Sequence, residues 1–225
     1  MSSWSEDALT ADFLCSFSIG VVFFALLIHQ KLYLYVTDIF GCIIGISAWL
    51  TVFGYVHELV TLGFAVSYYL LDIFCVSKFV KISNTEMDVS YPFLLHHFVT
   101  LSLIATRPYS PLVLAKPLQS MILTIDIINP ILAHWNRDQT SVWRYVFLLV
   151  TYGTNRILFM TWMVFQFHGY SPAEEVLQSD QPIDRFIAFG CRFLWCAFVY
   201  FYYLLLTKAP LYCQKGVNPK KFKIA

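Results

Sequence analysis

The chain has 225 residues, of which 58% are hydrophobic and only 13% are charged. A soluble domain carries roughly 25% charged residues, so this chain has too few charges to cover a water-facing surface. Its net charge of +1 gives no basic patch for nucleic acid, and its six cysteines lack the paired spacing of a disulfide framework or a zinc site. We therefore expect an integral membrane protein with no metal site and no nucleic-acid partner.

The apolar runs predict an all-α, multi-pass membrane protein that forms a single domain over residues 1–225. A transmembrane helix needs about 20 mainly apolar residues. An acidic segment precedes the first run, whereas a cleaved signal peptide begins with a basic one, so we expect this run to remain as a helix. About seven spans are predicted, in chain order Asp12–His29, Ile39–Val56, Leu59–Val80, Pro92–Thr106, Pro111–Ala133, Trp143–Phe167 and Asp184–Leu206.

Basic residues collect at one set of helix ends, which predicts the orientation of the chain. Loops rich in Lys and Arg stay in the cytosol. With seven spans and a lumenal N-terminus, the side opposite the cytosol keeps only Arg107 and Arg185. The C-terminus is then cytosolic, and the cytosolic set comprises Lys31, Lys78, Lys81, Arg137, Arg144, Lys208, Lys215, Lys220, Lys221 and Lys223.

The basic tail, residues 207–225, ends in Lys221-Phe222-Lys223-Ile224-Ala225. Lysines three and five residues from the end resemble the dilysine signal that returns membrane proteins to the endoplasmic reticulum. Such a signal works only in the cytosol, in agreement with the predicted orientation. The alternative is a basic juxtamembrane segment that binds anionic lipid.

Ionisable residues away from the ends of predicted spans are costly in lipid, and this cost makes each of them a functional hypothesis. With a rise of about 1.5 Å per residue, the four of them nearest the cytosol lie roughly 6–12 Å below that boundary. Three helices thus place polar groups in one layer, and two arginines lie deeper. The layer comprises Asp72, His96, His97 and Asp126, and the deeper pair is Arg156 and Arg192.

Helical spacing predicts which of these groups face inward. Gln119, Asp126 and Asn129 follow one face of the fifth span together with Lys116. Adjacent residues of a helix lie about 100° apart, so we expect only one of the two histidines to point into the layer. The alternative for the aspartates and arginines is a structural role, as static partners that hold the helices together.

Two stretches carry a resemblance to a known family. Tyr68-Tyr69-Leu70-Leu71-Asp72, followed by Leu94-Leu95-His96-His97-Phe98-Val99-Thr100, resembles the TLC domain, the membrane domain that ceramide synthases and TLC-domain-containing proteins share. Ile122–Pro130 and Thr154–Arg156 resemble two later helices of that family. The resemblance implies a bundle of six helices around a lipid-sized cavity, over about residues 39–206, with an additional N-terminal helix at 12–29.

The resemblance also implies a chemistry. Ceramide synthases use the equivalents of His96 and His97 to transfer an acyl group from acyl-CoA to a sphingoid amine. The chain departs from their His-Asp-x-x-Asp pattern, because Ile125 precedes Asp126 and an amide stands at Asn129. The implied catalytic residues are His96, His97, Asp126 and Asp72, and the implied lipid-binding residues are Asn129, Arg156, Arg192 and Gln119.

Acyl-CoA is then the expected co-substrate, with no resident cofactor. Membrane lipids are the expected partners, and a homodimer stays open as an alternative to a monomer. The departure from the family pattern leaves a second function open, a non-catalytic protein that binds lipid and regulates membrane composition or trafficking. A seven-helix receptor or proton-coupled transporter is a third alternative, since the same number of spans and the same orientation fit it.

Overall fold

The structure is a computed structural model, and it describes residues 6–30, 32, 35–82, 91–111, 118–137, 141–164, 176 and 178–215. The predictions that concern Lys31, Lys116 and the tail lysines Lys220, Lys221 and Lys223 lie outside these residues.

Every regular element within the described ranges is helical, as the apolar runs predict. α5 and α6 each change helix type along their length, and a 3₁₀ turn, Arg107–Tyr109, follows α4. The simple helices are α1 (Glu6–His29), α2 (Val36–Val52), α3 (Glu58–Ile82), α4 (Tyr91–Ala105) and α7 (Pro182–Lys215). α5 consists of Leu118–Leu123, a 3₁₀ segment Thr124–Ile128, and Asn129–Arg137, and α6 of Val142–Tyr152, a π-helical segment Gly153–Phe159, and Met160–Val164.

The helices follow the predicted runs in order, but several begin or end at residues other than those predicted, as the ends of α2 and α7 show. α2 ends at Val52 rather than Val56, because the chain turns at Gly54, whose φ of 79° is a conformation that residues with a side chain rarely adopt. α7 continues to Lys215, beyond the predicted end at Leu206.

Among the residues that the structure describes, two helical stretches are long and apolar enough to cross a membrane, Thr10–His29 and Pro182–Thr207. Val36–Val52 and Leu118–Leu132 are apolar but shorter. Large apolar side chains stand out from the surface of several helices, among them Val22, Phe74, Leu158 and Phe189. Extended exposed apolar surface marks contact with a membrane or another protein, and here it indicates association with a membrane.

Six helices pack as a ring in which each contacts the next, in the order α2, α3, α4, α7, α6, α5 and back to α2. Contacts between α3 and α5 cross this ring. α1 packs chiefly on α3, where Gly20 faces Ser67 and Gly63 faces Ser16. Small residues on both helices let the two backbones approach closely, which is how helices associate in lipid.

A Gly-x-x-x-Gly pattern joins α2 to α5. A Cβ at Gly41 would lie 2.9 Å from Asn129 Cβ, and a Cβ at Gly45 would lie 2.7 Å from the backbone nitrogen of Ile127. The absence of side chains at the two glycines therefore lets α2 rest directly on the 3₁₀ segment of α5. This contact positions the two polar residues that the segment and its end carry, Asp126 and Asn129.

Candidate functional site

Polar side chains from four helices meet inside the ring. We call this group the polar cluster. It comprises Tyr69 and Asp72 of α3, His96 and His97 of α4, Asp126 and Asn129 of α5, and Arg156 of α6. The structure thus brings together the four residues of the predicted layer.

His97 and Asp72 form the first pair of the cluster. His97 Nδ1 lies 3.3 Å from Asp72 Oδ2, and only 1% of His97 is exposed. The rings of Tyr68 and Tyr69 lie 5.6 and 4.7 Å from the imidazole and enclose it. A carboxylate at this distance attracts an imidazole once the ring carries a second proton, although Nδ1 and Oδ2 do not form a hydrogen bond.

Asp126 is the centre of a hydrogen-bonded chain that links three helices. The Tyr69 hydroxyl donates to Asp126 Oδ2, and Asn129 Nδ2 donates to Asp126 Oδ1 at 3.2 Å. Arg156 in turn donates to Asn129 Oδ1. The carboxylate of Asp126 is therefore bonded to a tyrosine and an amide, and it is Asp72 that pairs with a histidine.

Irregular helix geometry occurs where these residues lie. Pro130 has no N–H to bond the carbonyl of Asp126 four residues earlier, and this carbonyl instead accepts from the Asn129 N–H, a 3₁₀ bond. The π-helical segment of α6 carries Arg156. Both departures from α-helix are of the kind that accompanies functional sites and hinges.

His96 faces the opposite side of the cluster from His97. Its ring centroid lies 5.9 Å from that of Phe198 on α7, and Arg156 Cζ lies 5.0 Å from the same Phe198 ring and 5.0 Å from the Tyr152 ring. His96 Nδ1 and Arg156 Nε are buried and have no hydrogen-bond partner among the described residues. Each of these two atoms can therefore make one further hydrogen bond.

The expectation that only one histidine points into the layer is wrong. Both rings contact Tyr69, with centroid distances of 6.2 Å for His96 and 4.7 Å for His97. The reason is that α4 has α3 on one side and α7 on the other, so its interior face is wider than the 100° step between neighbours.

Two predicted site residues lie apart from the cluster. Gln119 is buried, but its Nε2 donates to the carbonyl of Leu103 at 2.6 Å, and it precedes Asp126 by seven residues, about 10 Å along the helix. Arg192 is exposed, because the buried face of α7 runs through Cys191 and Leu194 and leaves Arg192 outside it. The prediction that Arg192, like Arg156, binds a polar group inside the cavity is therefore wrong.

Tyr69, Tyr152 and Phe198 belong to the site but had no predicted role in it. Tyr69 precedes Asp72 by three residues and thus shares its helix face, which is the signal that could have identified it. Phe198 could not be identified from the sequence, since an aromatic ring in an apolar helix gives no sign that a cation lies against it. Within the described ranges, no three His, Cys, Asp or Glu side chains converge to hold a metal ion.

A second polar contact lies at the opposite end of α3. Glu58 is 14 residues from Asp72, about 21 Å along the helix. Its Oε2 lies 2.9 Å from Arg107 Nε, and its Oε1 accepts from the Ser120 N–H at 3.2 Å. Burial raises the pKa of Glu58 above its ordinary value of 4.5, although Arg107 and the Ser120 hydrogen bond act in the other direction. This contact ties α3 to the end of α4 and to α5.

Comparison of the chain with protein-family models, curated proteins and solved structures finds no match. The resemblance to the TLC domain therefore depends on the residues quoted above.

Proposed function

We propose that this chain is a seven-span protein of the endoplasmic reticulum, with a lumenal N-terminus and a cytosolic C-terminus, that transfers an acyl group from acyl-CoA to a lipid amine. The observation that carries the proposal is the buried pair of His97 and Asp72, whose atoms lie 3.3 Å apart beside a second histidine. The ring of six helices with α1 packed against it agrees with the architecture that the TLC resemblance implies.

In the proposed reaction the pair of His97 and Asp72 transfers the proton. His97, held beside the Asp72 carboxylate, accepts a proton from the attacking amine. The C–N bond forms, the thioester C–S bond breaks, and the imidazole passes its proton to the departing thiolate. Arg156 has an unpartnered N–H close to His96, and it would stabilise the negative charge that develops on the carbonyl oxygen.

One observation favours the non-catalytic alternative, a protein that binds lipid and regulates membrane composition. Asp126 is occupied by Tyr69 and Asn129 rather than by a histidine. The TLC-type carboxylate is thus part of the bonds that hold α3, α5 and α6 together. In this alternative the cluster binds a polar group of the lipid and no bond is broken.

The deciding experiment incubates purified protein with labelled long-chain acyl-CoA and a mixture of amine lipids, followed by mass spectrometry. His97→Ala should reduce labelled amide by about 100-fold or more, the usual contribution of a general base. His96→Ala tests the second ring, and His29→Ala, an exposed histidine at the end of α1, is the matched control. Intact acyl-CoA with a lipid that co-purifies equally with wild type and His97→Ala would support the binding function instead.

The orientation is tested separately with inserted glycosylation acceptor sites. A site inserted beside Tyr109, which is 73% exposed in the turn after α4, should be glycosylated because that turn is proposed to be lumenal. A site inserted between α5 and α6 should not be. The reverse pattern would exclude the proposed orientation.

A further inference from the structure

An open cavity of about 340 Å³ lies between the start of α2, the end of α5 and the start of α6. Its volume is within the range of small-molecule sites, roughly 300–1,000 Å³. The side chains that line it are Asp38, Pro130, Ile131, His134, Arg144 and Phe147. None of its three ionisable residues belongs to the polar cluster.

The cavity combines both signs of charge with an apolar wall. Asp38 and Arg144 are each half-buried, and His134 is exposed. An arginine matches the geometry of a phosphate with two parallel hydrogen bonds, and an imidazole adds a third donor. A carboxylate in the same cavity attracts an ammonium group. This arrangement is complementary to a ligand that carries a phosphate and an ammonium group together.

The surroundings of the cavity indicate a lipid as the source of this headgroup. Trp143, next to Arg144, is 82% exposed, and Phe147 on the cavity wall is 58% exposed. Tryptophan is enriched at the level of lipid headgroups, where an apolar ring meets the polar interface. A headgroup bound between Asp38 and Arg144 could therefore keep its acyl chains in the hydrocarbon beside Phe147.

The cavity is also close to the polar cluster. Asp38 lies three residues from Gly41, which contacts Asn129, and His134 lies five residues from Asn129. These separations correspond to about 5–8 Å along the helices. A lipid bound here would have its headgroup one to two helical turns from Asp126 and Asn129.

We propose that this cavity binds the headgroup of a zwitterionic phospholipid, with the phosphate on Arg144 and His134 and the ammonium group on Asp38. The proposal goes beyond acyl transfer, because the cavity would hold this lipid whether or not the histidines are catalytic. It rests only on the part of the proposed function that inserts the chain in a membrane. Resistance of the full chain to alkaline carbonate extraction tests that part separately.

The experiment reconstitutes the full chain in vesicles with equal amounts of phosphatidylethanolamine, phosphatidylglycerol and diacylglycerol, and then measures the retained lipids by native mass spectrometry. Wild type should retain phosphatidylethanolamine in preference to the other two. Arg144→Gln should reduce both phospholipids relative to diacylglycerol by about tenfold, the equivalent of ~1.4 kcal/mol. Asp38→Asn should retain both phospholipids but lose the preference for phosphatidylethanolamine.

Arg185→Gln is the matched control, since Arg185 is an exposed arginine of α7 that pairs with Asp180 and does not line the cavity. Equal retention of the three lipids by wild type, or equal losses in Arg144→Gln and Arg185→Gln, would overturn the proposal. Soluble phosphoethanolamine is a further arm of the experiment. If it binds with the same dependence on Asp38 and Arg144 while no lipid is retained, the ligand is soluble and the lipid proposal is wrong.

Discussion

Replacement of Gly45 by alanine should disturb the polar cluster from a distance. The new Cβ would lie 2.7 Å from the nitrogen and Cβ of Ile127 and 2.8 Å from its Cα. Two of these atoms belong to the backbone of the 3₁₀ segment that carries Asp126, so no rotation of a side chain can relieve the contact. α2 and α5 must move apart, and Asp126 moves with α5.

The expected magnitude follows from two opposing effects. An additional methyl group in a packed interface costs about 1–3 kcal/mol. Alanine in a helix interior recovers roughly 1 kcal/mol relative to glycine. Because the new Cβ would meet backbone atoms that cannot rotate away, we expect a cost near the upper end of this range, and the net loss of about 2 kcal/mol corresponds to a decrease in Tm of about 4–8 °C for a chain of this size.

Gly153→Ala is the matched control for this prediction. It makes the same change in a helix, but its Cβ would meet only the side chain of Tyr202, with the hydroxyl oxygen at 2.9 Å. The end of a tyrosine side chain can shift, so Gly153→Ala should lower Tm by less. The assay is thermal denaturation in detergent, followed by size-exclusion chromatography with fluorescence detection. If Gly45→Ala has the same Tm as wild type, or if Gly153→Ala lowers Tm by as much as Gly45→Ala does, the close contact of α2 with α5 is refuted.

Two further substitutions test contacts in the middle and at the start of α3. Tyr69→Phe should lower the free energy of unfolding by about 1–3 kcal/mol, because it leaves the buried Asp126 carboxylate without its hydroxyl donor. Tyr68→Phe removes only a weak 3.4 Å hydrogen bond to Thr37, so chemical denaturation should give it a free energy of unfolding closer to that of wild type. Equal losses of stability in the two variants would argue against the hydrogen bond from Tyr69 to Asp126. At the start of α3, Glu58 precedes the predicted third span, and burial raises its pKa above 4.5 despite the contact with Arg107. The folded state thus favours the protonated carboxyl, so the Tm of wild type should fall relative to that of Glu58→Gln as pH rises from 4.5 through the raised pKa. A difference that stays constant over pH 4–8, or changes with the opposite sign, would contradict this.

The depth of a polar residue along its helix could be predicted, whereas its direction around the helix could not. Asp72, His97 and Asp126 were assigned to one layer because each residue advances a helix by a constant ~1.5 Å. The structure brings these residues together. Arg192 was assigned to the interior from depth alone, and it is exposed because packing turned the Cys191 face of α7 inward.

The individual bonds of the cluster depend on contacts between residues far apart in the chain. Tyr69 and Asp126 are separated by 57 positions, and Asn129 and Arg156 by 27. No local pattern indicates that Asp126 takes a tyrosine while Asp72 takes a histidine. The 3₁₀ segment is partly an exception, since Pro130 is visible in the chain and removes the N–H that an α-helix requires at that point.

The linear pattern of apolar and polar residues predicts the helical class, the order of the helices along the chain and the depth of their polar groups. The pattern is informative because a polar group within a span is costly in lipid, so each such group needs a partner or a function. The order of the helices around the ring, the rotation of α7 and the pairing within the cluster were decided only by the tertiary structure. The physical reason is that these features depend on which surfaces pack most closely, and the approach of Gly41 and Gly45 to α5 involves two helices more than 80 positions apart.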